Sequence, residues 1–282
     1  MYRPKITVIT AVYNRVSKIE QCISSVINQT YDNLEYIVID GASTDGTIDV
    51  IKKYNNKIAY WCSEPDDGIY DAWNKAIKYA TGDYINFIGS DDAMYNSKVV
   101  ENIVPYLDVD VDVLAGSIMM IGEKNAFERV QTNIDIQNKD NYKGGCITTQ
   151  GTFIKRSLCN KYKFDTSYKV AADYKFFLQY YYDKTIKIKF VDEIIQYFSD
   201  GGISNDDLNF VRNEDNRIYK ELGLNELIDC HLADSKYKVR EFCKKIGIFD
   251  LMQRIYHPYL KGDWKKHHCN NKICRWCGRY ES

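Results

Sequence analysis

Residues 84–92 read Tyr-Ile-Asn-Phe-Ile-Gly-Ser-Asp-Asp, a largely apolar run that ends abruptly in two carboxylates. A run of this length closed by a turn residue suits a buried strand, and Tyr84 to Ile88 is read as one. The same pattern stands three times upstream. Ile6 to Thr10 (ITVIT) precedes a helix from about Val16 to Asn28, in which Ile19, Cys22, Ile23, Val26 and Ile27 fall at core-facing spacing. Leu34 to Asp40 (LEYIVID) precedes a helix through Ile48, Ile51 and Tyr54, and Ile58 to Ser63 precedes one from Ile69 to Tyr79. Strands alternating with helices predict a parallel sheet covered by helices. Every polar cluster follows a strand's carboxyl end, where open α/β sheets bind their ligands.

After about residue 115 the alternation weakens. Strand-like runs near Ile118–Ile121, Ile147–Ile154 and Ile186–Phe198, with a helix near Ala171–Tyr182, predict a mixed-sheet second half that closes over the first. From Asn205 the pattern is helical. The expected organisation is one α/β domain over 1–204, divided into a ligand-binding half (1–115) and a second half (116–204), followed by a helical extension over 205–282. The basic, aromatic tail from Lys261 is expected to lie outside the main core.

The chain has 282 residues, 45% hydrophobic and 27% charged, which are globular proportions. A formal net charge of −1 gives no support to general nucleic-acid binding. The start of the chain shows no secretion-signal pattern and no window of eighteen apolar residues occurs, so a cytoplasmic location is the expectation. Nine cysteines is an odd number, and Cys22, Cys62, Cys146 and Cys159 lie in or beside apolar segments, as buried free thiols do.

The acidic end of the quoted stretch has two readings. Asp91 and Asp92 repel one another, and hard oxygen ligands of this kind suit Mg²⁺ or Mn²⁺; Ser-Asp-Asp is also good capping material for a following helix. Asp40 ends the second strand beside Thr10 to Asn14. There it can accept the imide N–H of a uracil ring, with Tyr13 offering a face for stacking, or it can open a turn closed by Gly41. Asp66-Asp67-Gly68 likewise combines a helix cap with a place at the third strand end of the same sheet.

The ordered runs VITAVYNR, IVIDGASTDGT, SEPDDGIYDAWNKAI and GDYINFIGSDD, followed by TTQGTFIKR and FDTSYKVAADYKFFL, resemble the signatures of glycosyltransferase family 2, and within it the branch that builds O-antigen, capsule and colanic-acid repeat units. The resemblance covers about residues 5–204. It implies a GT-A fold, a Rossmann-like mixed sheet flanked by helices, and an inverting, metal-dependent transfer of a hexose or N-acetylhexosamine. The donor it implies is a nucleotide-sugar, a UDP-sugar by family habit. The acceptor it implies is a saccharide on undecaprenyl diphosphate, at the inner face of the plasma membrane, in cell-surface polysaccharide synthesis. Carried over by position, Thr10, Ala11 and Tyr13 hold base and ribose, Asp40 the uracil, and Gly68, Asn74 and Lys75 the nucleotide or diphosphate. Asp91 contacts ribose or the metal's water shell, Asp92 ligates Mn²⁺ or Mg²⁺, and Asp173 is the catalytic base. Two positions depart from the family pattern: Ser90 stands where the first acid of the metal element is usual, and Ala172 where Glu commonly precedes the base. The loop Ser199 to Ser204 resembles a lid over the donor, with simple turn chemistry as the competing reading.

Two function classes follow: the transferase, and a catalytically silent sugar-nucleotide-binding protein, against which the presence of Asp91, Asp92 and Asp173 argues. A nucleotidyltransferase would want a Gly-rich signature after the first strand, and Thr10 to Asn14 has no glycine. The tail carries six Lys or Arg against two acids, interleaved with Trp264, Trp276 and Tyr280, which allows peripheral contact with an anionic membrane. Cys274-Arg275-Trp276-Cys277 has the spacing of a metal-ligand pair, with His267, His268 and Cys269 near it. A full second pair at the usual separation is missing, so free thiols are preferred to zinc on sequence alone.

Overall fold

The computed structural model describes residues 2–122, 127–131, 149–199 and 208–228, and in the tail 265–267, 273–274, 276 and 279–280. Four parallel strands make its first half: β1 (Ile6–Val12), β2 (Leu34–Asp40), β3 (Tyr60–Ser63) and β4 (Tyr84–Gly89), in the order β3-β2-β1-β4. β1 is buried along its whole length and β2 along all but its first residue, because helices cover both faces. That burial explains why these strands read as continuous apolar runs.

Helices α1 (Ile19–Ile27), α2 (Thr47–Lys53) and α3 (Ile69–Tyr79) follow the first three strands. The side chains of β1 alternate between two cores. Val8 and Val12 face Ile19, Cys22, Ile23 and Val26 of α1, whereas Ile9 and Ala11 face Tyr70, Trp73 and Ala76 of α3.

Beyond β4 come a short strand β5 (Ala93–Met94), helix α4 (Val99–Ile103), and strands β6 (Val113–Ile121), β7 (Phe127–Gln131) and β8 (Thr152–Lys155). Helices α5 (Arg156–Tyr162) and α6 (Ala172–Tyr182), strand β9 (Ile188–Ser199) and helix α7 (Leu208–Leu222) complete this half. β8 lies antiparallel between β4 and β6, and β9 runs parallel to β6 and antiparallel to β5, which gives the mixed sheet expected. Gly116 permits the closest part of the β6–β9 contact, since a Cβ there would lie 2.6 Å from the carbonyl oxygen of Glu193.

The tail differs from expectation. Its strand β10 (Lys265–Lys266) pairs with β7 and so extends the main sheet, while β11 (Ile273–Cys274) and β12 (Arg279–Tyr280) form a separate antiparallel pair. Cys274 and Trp276 are buried against Ala93, Met119, Ile121 and Tyr197. Trp276 therefore belongs to a core and is not offered to a bilayer; the side chains of Trp264 and Tyr280 lie outside the described residues. So do residues 200–204 of the suggested lid. Among the described residues no helix is long and apolar enough to cross a membrane.

Candidate active site

A cleft of about 610 Å³ opens at the carboxyl ends of β1 and β4 and is walled on its far side by the starts of α3 and α6 and by α7. That volume suits a ligand of nucleotide size. The loop after β1 supplies Ala11, Val12, Tyr13 and Arg15. Asn14 has a left-handed backbone (φ 50°), and the loop is tied to the turn after β2 by four bonds. Asn14 N donates to Ser43 Oγ (2.7 Å), Thr44 N to Asn14 Oδ1 (2.9 Å), Arg15 N to Thr47 Oγ1 (2.8 Å) and Val16 N to Asp45 Oδ2 (3.0 Å). The Ser-Thr-Asp-Gly-Thr sequence thus fixes the neighbouring loop as well as starting α2. Tyr13, 59% exposed, presents its ring to the cleft.

At the end of β4, Ser90, Asp91 and Asp92 line the cleft. Asp92 is buried, and its Oδ1 accepts a bond from Ser199 N at the end of β9 (2.9 Å). Both carboxylates converge on Gly89: a Cβ there would meet Asp92 Oδ2 at 2.6 Å and Asp91 Oδ1 at 3.2 Å. Lys18 Nζ lies 4.0 Å from Asp91 Oδ2. Among the described residues no three His, Cys, Asp or Glu side chains form a metal cage. Two adjacent acids with hard oxygen donors fit Mn²⁺ or Mg²⁺, provided that diphosphate oxygens complete the coordination.

Gly68, with φ 108°, begins α3 in a conformation that suits glycine, and it lines the cleft with Asp66, Tyr70 and Trp73. Asp173 stands in the first turn of α6 and lines the cleft too. Its Oδ1 accepts the Tyr70 hydroxyl (2.9 Å) and Tyr174 N (2.9 Å). Burial pushes the Asp173 carboxyl up from its ordinary value, the nearby charge of Glu214 adds to this, and the two bonds oppose it.

Four of the residues expected to hold the donor, Thr10, Asn74, Lys75 and Asp40, do not line the cleft in this structure. Thr10 points into the α1 core, where its hydroxyl meets Tyr36 (3.0 Å) and Cys22 (3.5 Å), so its side chain does not reach the cleft. The Asn74 amide brackets the backbone of Phe164, donating to its O (2.7 Å) and accepting from its N (3.0 Å). Lys75 binds Pro65 O (3.0 Å) and pairs with Glu64 (3.1 Å) and Asp71 (3.2 Å), bracing the loop that carries Asp66 and Gly68. Asp40 is fully buried behind the cleft wall. Its Oδ2 accepts Ser43 N (2.9 Å) and Ser63 Oγ (2.7 Å), and its Oδ1 has no partner among the described residues. Asp66 covers Gly41 beside it, since a Cβ on Gly41 would lie 2.7 Å from Asp66 Oδ2.

Two acids escaped the sequence reading. Asp215 lines the cleft from α7, and burial, then the charges of Asp173 and Glu214, push its carboxyl up to about 7. Glu214 accepts three backbone N–H groups in the segment entering α6: Lys169 (2.8 Å), Val170 (3.0 Å) and Ala171 (3.0 Å). A signal was available. Val211, Glu214, Asp215, Ile218, Tyr219 and Leu222 fall at the spacing of a helix's core-facing stripe, where an acid needs a reason.

The family model "Glycosyl transferase family 2" matches residues 7–169. A PGL/p-HBAD biosynthesis glycosyltransferase of Mycobacterium bovis is 24% identical over 221 residues, covering 73% of this chain and 81% of that protein. Among solved structures, S. aureus TarS in complex with UDP-GlcNAc aligns with a TM-score of 0.61 at 20% identity, over 83% of this chain and 74% of that one. The mannosyltransferase PcManGT of Pyrobaculum calidifontis, in complex with GDP-Man and Mn²⁺, aligns with a TM-score of 0.59 at 19% identity, over 83% and 71%. These likenesses show the GT-A fold, and the family match, which spans more than half of the sequence, shows that the chain belongs to glycosyltransferase family 2.

Proposed function

We propose that this glycosyltransferase moves a hexosyl or N-acetylhexosaminyl group from a UDP-sugar to a saccharide hydroxyl with inversion, using Asp173 as the base. One observation carries the reading: the acidic end of β4 and the buried, proton-attracting Asp173 line a single cleft although they come from distant parts of the chain. The nucleotide complexes of TarS and PcManGT support a nucleotide-sugar donor, and the former favours UDP.

Tyr13 stacks on the base, and Asp40 Oδ1, buried and without a partner among the described residues, is the acceptor for an imide N–H once Asp66 moves aside. Arg15 and Lys169 line the cleft as cations for the diphosphate. Asp92, with Asp91 beside it, would hold Mn²⁺ or Mg²⁺, which supplies charge neutralisation to the departing diphosphate. The acceptor oxygen attacks the anomeric carbon from the face away from the diphosphate and passes its proton to Asp173. The new C–O bond forms as the old one breaks, and the diphosphate leaves with the bonding pair, so configuration inverts. Both bonds to Asp173 fall on Oδ1, which leaves Oδ2 to take the proton. The raised affinity for a proton makes this carboxylate a better base than an ordinary one. A polyprenyl-diphosphate-linked acceptor and a place in surface-polysaccharide synthesis rest on the motif resemblance.

The test is a panel of UDP-, GDP- and dTDP-sugars with and without Mn²⁺. A metal-stimulated UDP-sugar reaction is expected, with Asp173→Asn slower by about 10²–10⁴-fold yet still binding donor. Retained turnover in that variant removes the base assignment, a GDP-sugar preference removes the role of Asp40 as imide acceptor, and a dTDP-sugar preference removes uridine while leaving that role in place.

A further inference from the structure

We propose that Asp215 binds the acceptor, pairing with a sugar hydroxyl beside the one that Asp173 deprotonates, so that the cleft selects acceptors with neighbouring ring hydroxyls. Asp215 lines the cleft from α7, and the charges that act on its carboxyl are those of Asp173 and Glu214, which places it at the base end. Asp91 and Asp92 line the same cleft from the end of β4. Given the transferase reading, on which this rests, an inverting attack brings the acceptor in on the side away from the diphosphate. That side is the one where Asp173 and Asp215 stand.

Three acids meet here, and the fold itself occupies two of them. Glu214 holds three backbone N–H groups with its two oxygens, and Oδ1 of Asp173 holds the Tyr70 hydroxyl and Tyr174 N. The half-buried Asp215 carboxyl has no hydrogen bond or ion pair among the described residues, and a polar group left in that state weakens the fold. A ligand hydroxyl removes the cost. With the carboxyl pushed up to about 7, its acid and carboxylate forms coexist at neutral pH, and a hydroxyl suits both, donating to the one and accepting from the other.

The two helices that carry the pair are tied together on every side of it. Glu214, the residue before Asp215, fastens the segment entering α6. One turn beyond Asp215, the Tyr219 hydroxyl lies 2.8 Å from that of Tyr174, the residue after Asp173. Further along, Lys175 of α6 bonds Glu221 of α7 at 2.6 Å. Asp215 is thereby held in register with Asp173 on packed helices, the rigid footing that recognition of a small ligand needs. Val211, one turn before Asp215 on the same helical face, also lines the cleft and offers apolar surface to the C–H groups of a sugar ring.

The test uses the full chain with the UDP-sugar and metal that support turnover and, as acceptors, the octyl glycosides of glucose, galactose, mannose and N-acetylglucosamine. The linkage of the product identifies the attacking oxygen, and analogues deoxygenated at the adjacent carbons or at a remote one are compared with the parent. In the wild type, one adjacent deoxygenation is expected to lower acceptor kcat/KM by about 10–100-fold, and the remote one by far less. Asp215→Ala is expected to treat the parent and that adjacent-deoxy acceptor alike within about twofold, because each change removes the same bond. Asp215→Asn, whose amide both donates and accepts, should keep part of the discrimination. The ratio is taken within one protein, so a lower yield of folded variant does not move it, and the wild-type series needs no variant. A wild type indifferent to adjacent deoxygenation, transfer only to a primary hydroxyl, donor hydrolysis without transfer to any of the four glycosides, or full discrimination in Asp215→Ala each overturn the proposal. Failure of the underlying reading looks different: no UDP-sugar is turned over, or Asp173→Asn keeps its turnover, and the proposal falls with it.

Discussion

The hydroxyl of Tyr70 donates a 2.9 Å bond to Oδ1 of Asp173, joining the first turns of α3 and α6 across 103 residues of sequence. Because that bond favours the charged carboxylate, it restrains the upward push of burial. Tyr70→Phe is therefore expected to raise the proton affinity of Asp173 further and to move the acid limb of the kcat/KM profile to higher pH by up to about 1 unit, since one such bond contributes about 1 kcal/mol. Rates on the alkaline side should change little. An acid limb that stays in place in a full pH series would count against this.

Asp215 should make stability pH-dependent. Its carboxyl lies near 7 in the folded protein, against an ordinary value near 4, so the folded state holds this proton more tightly than the unfolded chain. Stability from this group is complete at about pH 4 and below, and declines as pH rises to about 7, by at most about 4 kcal/mol. Asp215→Asn is expected to melt higher than the wild type, with a gain that grows between about pH 4 and pH 7 and then levels off. Melting curves of both proteins across that range check the sign; a gain that shrinks with rising pH would refute it.

Glu214 acts on Asp173 through the backbone it holds. Removing its carboxylate leaves three N–H groups without their acceptor, and Glu214→Ala is expected to destabilise the fold by about 3 kcal/mol and to lower kcat at least about tenfold, with a smaller rise in donor KM through the loosened Lys169. Glu214→Gln keeps one acceptor oxygen and should recover part of both losses. Equal falls in kcat and donor affinity, with no rescue by glutamine, would point to general damage instead.

Gly89→Ala probes the acidic end of β4. Its methyl group would sit 2.6 Å from Asp92 Oδ2, so the carboxylates must turn away from one another. The Mn²⁺ concentration for half-maximal rate is expected to rise about tenfold or more, equivalent to about 1.4 kcal/mol, with the melting temperature nearly unchanged. A metal titration that overlays the wild type would show that the two carboxylates do not share an ion.

The parallel half was legible because its signals are local. α3 spans Ile69–Tyr79 as its spacing predicts, and the ends of β2 and β3, Asp40 and Ser63, are where the sequence places them. The lining of the candidate cleft was legible where backbone position suffices, as for Ala11, Tyr13, Gly68, Asp91, Asp92 and Asp173. It was not legible where side-chain direction decides. Thr10 is one step along β1 from Ala11 and so faces the opposite core; Asn74 and Lys75 follow Trp73 on α3, and their helical rotation carries them to the Phe164 segment and the Pro65 loop. Tail burial was hidden for another reason: its partners, Ala93, Met119 and Tyr197, are long-range contacts that no local period reveals.

Glu214 answers Ala171, Val170 and Lys169 from 43, 44 and 45 positions downstream, beyond residue 169 where the family match ends. The contact sets no length on the chain between them, so homologues are free to lengthen or recast that stretch, whereas a change at the glutamate calls for recruitment of a substitute acceptor. Remote kin of this enzyme are accordingly better sought by an acid on the inward stripe of an otherwise polar helix than by the wording of the intervening residues.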